Sequence, residues 1–187
     1  MSSRARRNLA IAQGVQSIIK PLDPVVGCEI GVWEGGTSEY LLTHFPFMSL
    51  YMIDSWQVET VQMNVNDQAV VDTAKQMAIN RTRFAFARRS IIHKTSIEAA
   101  KLFSDGGLCF VFIDADHRYE AVRDDLNAWW PKVRKGGILL GDNYNDRRET
   151  NGPSIRRWGV KRAVDEFAEE NGWAFDTYPT KLWSIQK

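Results

Sequence analysis

Apolar residues follow two rhythms along this chain of 187 residues, and the rhythms alternate. Short runs with β-branched and aromatic residues read as strands, and segments with apolar positions three or four apart read as helices. Ile11, Val15, Ile18 and Ile19 set a first helix within residues 1–22, packed on the core, and Lys20-Pro21-Leu22-Asp23-Pro24 turns the chain after it. The first strand runs from Val25 to Ile30, followed by the glycine turn Gly31–Gly36 and a helix from Thr37 to about His44. Ser49–Asp54 is a second strand, and Val70, Ala74, Met77 and Phe84 mark a long helix from Asp67 to about Ala87. Ser90–Thr95 is a third strand, after which Ser96 can cap a short helix carrying Ile97, Ala100 and Phe103.

Leu108–Ile113 is the most apolar run, and its lack of alternation predicts a strand buried on both faces of a parallel sheet. A helix with Tyr119, Val122, Leu126 and Trp129 on one stripe stops at Pro131, and Ile138–Gly141 is the fifth strand. Residues 144–158 are polar, arginine-rich and contain Gly152-Pro153, which predicts a long mobile loop of the kind that holds a substrate. A last helix carries Val160, Val164 and Phe167. Trp173–Tyr178 and Leu182–Ile185 are joined so closely that they must be antiparallel. The pattern is a single α/β domain over residues 1–187.

Composition narrows the partners more than the fold. A formal net charge of +1 gives no reason to expect nucleic acid or an anionic membrane surface, and no apolar run is long enough to span a bilayer. The basic N-terminus lacks the apolar core of a secretory signal. Cys28 and Cys109 both sit in apolar strand-like runs, so buried reduced thiols and a cytoplasmic location are expected. Trp129, Trp130 and Trp158 offer an aromatic surface on which a homodimer could form.

Ligands of open α/β sheets bind at the carboxyl ends of the strands. There the sequence places Glu29 and Gly31, Asp54, Thr95 and Ser96, Asp114, Asp116 and His117, and Asp142 and Asn143. Unpaired carboxylates are costly to bury, so a cation or hydroxyl-bearing ligand is expected among them. Gly31 suits a tight turn, and Gly35 or Gly36 lets a ligand approach the backbone. Asp54 stands about 20 residues past the turn, where an acid can bind ribose hydroxyls; it could instead cap the next turn. Trp56 could stack on adenine or belong to the core. Asp114, Asp142 and Asn143 make an all-oxygen set suited to Mg²⁺ or another hard divalent cation; alternatively they start turns and cap a helix. His117 is a candidate general base, because a free imidazole titrates near neutrality. Arg147, Arg148, Arg156 and Arg157 could clamp an anionic substrate or stay solvated.

The turn Glu29-Ile30-Gly31-Val32-Trp33-Glu34-Gly35, the acid Asp54 and the terminal hairpin together resemble class I S-adenosylmethionine-dependent methyltransferases. FIDADHRYEAVRDDLNAWWPKVRKGGILLGDNY and GVKRAVDEF resemble the small-molecule O-methyltransferases grouped with macrocin- and catechol-type enzymes. The resemblance implies a Rossmann-like three-layer sandwich with a mostly parallel seven-stranded sheet and a terminal antiparallel hairpin. It implies that Glu29, Gly31 and Gly35 border the methionine end of S-adenosyl-L-methionine, with Asp54 at the ribose, Trp56 and Ser96 near the adenine, and Asp114 also against the cofactor. It matches Asp114, Asp142 and Asn143 to the metal-binding positions of the catechol-type enzymes. Family variants nominate either His117 or Asp116 as the base, and this chain has both.

The expected activity is methyl transfer to a hydroxyl of a small molecule, with the metal binding the acceptor oxygen. The substrate would be held by the 144–158 loop, the N-terminal helix or a second subunit. A nicotinamide-dependent oxidoreductase would share the glycine turn but predicts a wholly parallel sheet. A non-catalytic protein retaining the methyltransferase fold is the other alternative.

Overall fold

Leu108–Ile113 forms β4 and is buried at every position, with parallel neighbours on both sides. The computed structural model describes residues 1–19, 24–58, 67–145 and 159–187 in full, together with the backbone of Arg148–Glu149 and Arg156–Arg157. In chain order the elements are α1 (Ser3–Ser17), β1 (Val25–Ile30), α2 (Gly36–His44), β2 (Met48–Asp54), α3 (Gln68–Arg81), β3 (Arg89–His93), α4 (Ser96–Ala100), β4, α5 (Tyr119–Trp129) and β5 (Val133–Gly141). They continue through a short ribbon, β6 (Arg148–Glu149) with β7 (Arg156–Arg157), to α6 (Val160–Asn171), β8 (Phe175–Thr177) and β9 (Trp183–Gln186).

The main sheet has seven strands in the order β3-β2-β1-β4-β5-β9-β8. The first five are parallel; β9 runs antiparallel to β5, and β8 antiparallel to β9. This is the mostly parallel, hairpin-terminated methyltransferase fold that the sequence predicts. It differs from the wholly parallel sheet expected of a nicotinamide-dependent oxidoreductase.

Side chains alternate between the two faces of the sheet. Leu50, Met52, Phe110, Phe112 and Leu140 pack with Ile11 and Val15 of α1, Leu41 and Leu42 of α2, and Val71 of α3. Cys28, Ile30, Val111, Ile113 and Leu139 pack with Ala99 of α4, Leu126 and Trp129 of α5, and Val164 of α6. Cys28 and Cys109 are free thiols inside these layers.

Three expectations need correction. The third helix ends at Arg81, a 3₁₀ segment follows over Arg83–Arg88, and its buried stripe is Val71, Ala74 and Ala78. Val70 and Phe84 are exposed instead. Ala74 lies on the buried stripe as expected, whereas Val70 and Met77 each miss it by one residue, because the helix packs through Val71 and the small Ala74 and Ala78, and Met77 is only half-buried. Strand β5 begins at Val133, before Gly136-Gly137, with a register shift against β4 between Leu108 and Phe110. Trp129 is fully buried and does not belong to an exposed aromatic surface, while Trp130 is half-buried and packs on Phe167 and Trp173. Trp158, the substrate-clamp side chains of Arg147, Arg148, Arg156 and Arg157, and most of the 144–158 loop lie outside the described residues.

Gly35 precedes α2 with φ of 78°, and a Cβ there would lie 2.8 Å from the Ala78 Cα. Gly35→Ala is therefore expected to lose about 2–4 kcal/mol in urea unfolding, from left-handed strain and overpacking. Gly36→Ala is the control: its methyl meets nothing nearer than Arg4 at 4.0 Å, so stability should move by no more than about 0.5 kcal/mol. Equal losses in both would refute the packing role of Gly35.

Candidate active site

The carboxyl ends of the central strands are tied together past their last ladder residues. Gly31 N–H donates to Ile53 O at 2.9 Å, Asp114 N–H to Ile30 O at 2.8 Å, and Asp142 N–H to Ile113 O at 3.1 Å. Gly31, at φ of 88°, sits so close to Asp114 that a Cβ would fall 2.2 Å from the Asp114 carbonyl oxygen. Above this edge lies a cleft of about 750 Å³, walled by Gly31, Asp54, Ser96, Asp114 and Asn143 and overhung by Ser3, Arg4 and Arg7 of α1. That size suits a cofactor-sized ligand.

Asp54 is held by two tryptophan backbones. Oδ2 accepts from Trp33 N–H and Oδ1 from Trp56 N–H, both at 2.8 Å. Trp33 and Trp56 both have positive φ, 52° and 39°, a strained conformation for bulky residues that clusters at functional sites. Burial pushes the Asp54 carboxyl up and the backbone donors pull it back. The indole of Trp56 is 1% exposed, donates to Trp33 O at 3.0 Å and packs edge-on against His93. It belongs to the core and does not border the cleft, where Trp33 does. Gly35 likewise packs on α3 and leaves the cleft wall to Gly36.

Glu29 is buried beneath the cleft and accepts a short hydrogen bond from Ser38 Oγ. Burial pushes its carboxyl up to about 8, the Ser38 bond opposes that rise, and Asp114 adds to it. On the opposite wall Ser96 Oγ donates to Asp125 while accepting from Trp129 Nε1 at 2.8 Å. Burial raises Asp125 to about 7. The hydroxyl of Ser96 is thus committed within the protein, although the residue lines the cleft.

Asp114, Asp142 and Asn143 do converge, but Arg7 meets them first. Its Nη2 bonds Asp114 Oδ2, its Nε bonds Asp142 Oδ2, and its Nη1 donates to Thr37 Oγ1 at 2.9 Å. Burial lowers the guanidinium pKa, yet Asp114 and Asp142 more than offset this and leave it raised. Asp142 Oδ1 also accepts from Asn143 N–H at 2.6 Å, so three of the four oxygens are engaged, and Asp114 Oδ1 faces His117 Nε2 at 3.5 Å. Among the described residues no group of three His, Cys, Asp or Glu side chains is disposed to hold a metal. The donor set as arranged does not fit the expected divalent ion, because three of its four carboxylate oxygens are already taken and the Arg7 guanidinium stands between the two carboxylates.

The two candidate bases differ sharply. His117 Nε2 lies 3.1 Å from Asn143 Nδ2, inside the cleft. Asp116 is paired with the Arg118 guanidinium through Nε at 2.7 Å, and it accepts the Arg118 N–H at 2.8 Å ahead of α5. The site residues that sequence reading misses are Arg7, Trp33, Ser38 and Asp125. For Arg7 the signal exists: acidic strand ends demand a cation, and the arginine-rich first helix packs on the domain.

Glu29 gives a pH test. Its folded value, about 8, lies above the ordinary 4.5, so the stability it allows is fully present below about pH 4.5 and is lost as pH rises toward about 8. Glu29→Gln should match wild type in acid and become more stable by about 4 kcal/mol at pH 8. Chemical denaturation at a series of pH values checks this; a gap that does not change with pH means the carboxyl is ionised in the folded protein.

Comparison with known proteins agrees with this architecture. An uncharacterized protein of Acanthamoeba polyphaga mimivirus is 25% identical over 138 residues, 67% of this chain and 54% of that protein, so the chain spans about half the length of this curated relative. The crystal structure of a structural-genomics protein from Corynebacterium glutamicum superposes with a TM-score of 0.70 at 14% identity, covering 97% of this chain and 80% of that one. The TDP-rhamnose 3′-O-methyltransferase of calicheamicin biosynthesis superposes with a TM-score of 0.64 at 14% identity, covering 100% and 80%. Residues 28–144, more than half of the chain and all of the strand ends described above, match the family described as "Methyltransferase domain", and the chain belongs to that family.

Proposed function

We propose that this protein transfers a methyl group from S-adenosylmethionine to a hydroxyl of a small molecule, with His117 as the base. The observation that carries the reading is the position of His117, whose Nε2 faces Asp114 Oδ1 and the Asn143 amide at the strand ends. Bound S-adenosylmethionine would supply an activated methyl on a sulfonium. The chain's task is then to position the pair and to take one proton.

The residues fit such a donor. Asp54 keeps a carboxylate edge on the cleft, suited to ribose hydroxyls, while two backbone N–H groups fix its orientation. Glu29 lies beneath the methionine end, where an ammonium group would draw it toward the carboxylate form. Gly36 leaves the backbone open to approach. Trp33 and Ile97 supply apolar wall.

At the acceptor end, Nε2 of His117 accepts from the Asn143 amide, an assignment that follows from the hydrogen-bond network and makes Nε2 the unprotonated nitrogen in the cleft. An acceptor hydroxyl would displace the Asn143 N–H from the Nε2 lone pair and hand over its proton there. Asp114, 3.5 Å away, would then stabilise the imidazolium. Asp116 is the weaker candidate, because the Arg118 pair already holds its carboxylate. The overhang of Ser3, Arg4 and Arg7 favours a small acceptor, held in part by the N-terminal helix.

The test begins with calorimetry: S-adenosylhomocysteine should bind and NAD should not. On an acceptor found by transfer of labelled methyl to a panel of phenols, sugars and hydroxylated metabolites, His117→Ala should lower kcat by about 10²–10⁴ while leaving S-adenosylhomocysteine affinity within about threefold. Asp116→Asn should keep most of the rate. The reverse ranking of the two variants would move the base to Asp116, and no heat with S-adenosylhomocysteine would end the methyltransferase reading.

A further inference from the structure

The catechol-type resemblance predicts a divalent ion between Asp114, Asp142 and Asn143, yet a side chain of this protein already stands there. The Arg7 guanidinium spends three of its nitrogens on three partners, Asp114, Asp142 and Thr37 Oγ1, and its flat face lies 5.2 Å from the Phe112 ring centroid. Only 17% of the side chain is exposed. A planar fork that satisfies two carboxylates at once, a hydroxyl and an aromatic face is a built position, and arginine is the residue whose geometry makes it.

We propose that Arg7 is the resident cation of the acceptor end: it takes the place of the divalent ion, and the site works without one. This rests on the methyltransferase reading for its purpose, though not for its test.

Three consequences follow from the geometry. An incoming ion would find three of the four carboxylate oxygens engaged and would have to expel a guanidinium held from several sides. The cluster of Arg7, Asp114 and Asp142 keeps one net negative charge, which suits a cationic methyl donor beside it. Bidentate chelation by two adjacent acceptor oxygens is also not available, because no metal face is offered. The acceptor class is therefore a compound presenting a single hydroxyl to His117, with no requirement for a vicinal diol. Arg7 acts through Asp114, which it fixes facing His117, and is a positioning residue.

Mn²⁺ binding to the full chain, read from the electron paramagnetic resonance signal of the free ion, tests this with and without S-adenosylhomocysteine. Wild type should leave the signal as it is in buffer. Arg7→Ala, and Arg7→Gln as the second variant, should bind Mn²⁺ at least about tenfold more tightly than wild type. The double variant Arg7→Ala/Asp142→Asn should lose that gain. Wild-type binding that disappears in Asp142→Asn overturns the proposal, and this arm needs no Arg7 variant to fold. A folded Arg7 variant that binds no better than wild type overturns it equally. If S-adenosylhomocysteine fails to bind, the methyltransferase reading falls while the Mn²⁺ result stands.

Discussion

Two carboxylates at the ends of adjacent parallel strands cannot both stay ionised beside each other without a cation, and this constraint organises the site. β4 and β5 lie side by side, so Asp114 and Asp142 emerge together at one edge of the sheet. Burial and the nearby Asp114 push Asp142 up, while Arg7 opposes both. Removing one partner from such a cluster leaves an uncompensated buried charge, worth about 3–5 kcal/mol. The first helix is thereby tied to the carboxyl-end edge of the sheet by charge as well as by Ile11 and Val15 in the core. A structural element and a chemical one share the same contact.

The other side of the cleft uses backbone instead of side-chain charge. Asp54 is oriented by the N–H groups of Trp33 and Trp56, and both tryptophans are held at positive φ to aim them. Such backbone is tolerated when the surroundings over-determine it. The buried Trp56 indole supplies that fixity by bonding Trp33 O. A residue expected against an adenine ring instead sets the geometry of the acid beside it.

The fold was legible because its signals are local. The unbroken run Leu108–Ile113 announces a doubly buried strand, and the short Pro179-Thr180-Lys181 connection forces the hairpin. The acids at the strand ends were legible for the same reason, since strand ends are where the pattern changes. What the sequence hid depends on distance. Arg7 is 107 residues from Asp114 and 135 from Asp142, and no periodicity connects them. The core position of Trp56 and the packing role of Gly35 were hidden likewise, because a tryptophan after a strand or a glycine in a turn reads the same whether it faces ligand or protein. In α3 the buried position beside Ala74 is the small Ala78 and not the larger Met77 next to it, which apolar size alone does not reveal.

The charge distribution also bears on why an imidazole suits the acceptor end. Glu29 is held as the neutral acid at neutral pH by its burial, so it adds no charge beneath the cleft until a cation arrives. Arg7 cancels one of the two strand-end carboxylates, leaving one negative charge for whatever cation enters. In the proposed reaction the donor's positive charge disappears as the methyl leaves, and His117 gains one as it takes the proton. The positive charge moves from one neighbour of Asp114 to another, and the net charge in the cleft stays constant through the step. Asp116 as base would instead neutralise a carboxylate already paired with the Arg118 guanidinium. In that reaction a histidine would be the better proton acceptor on electrostatic grounds, because the charge it gained would replace the one the donor lost.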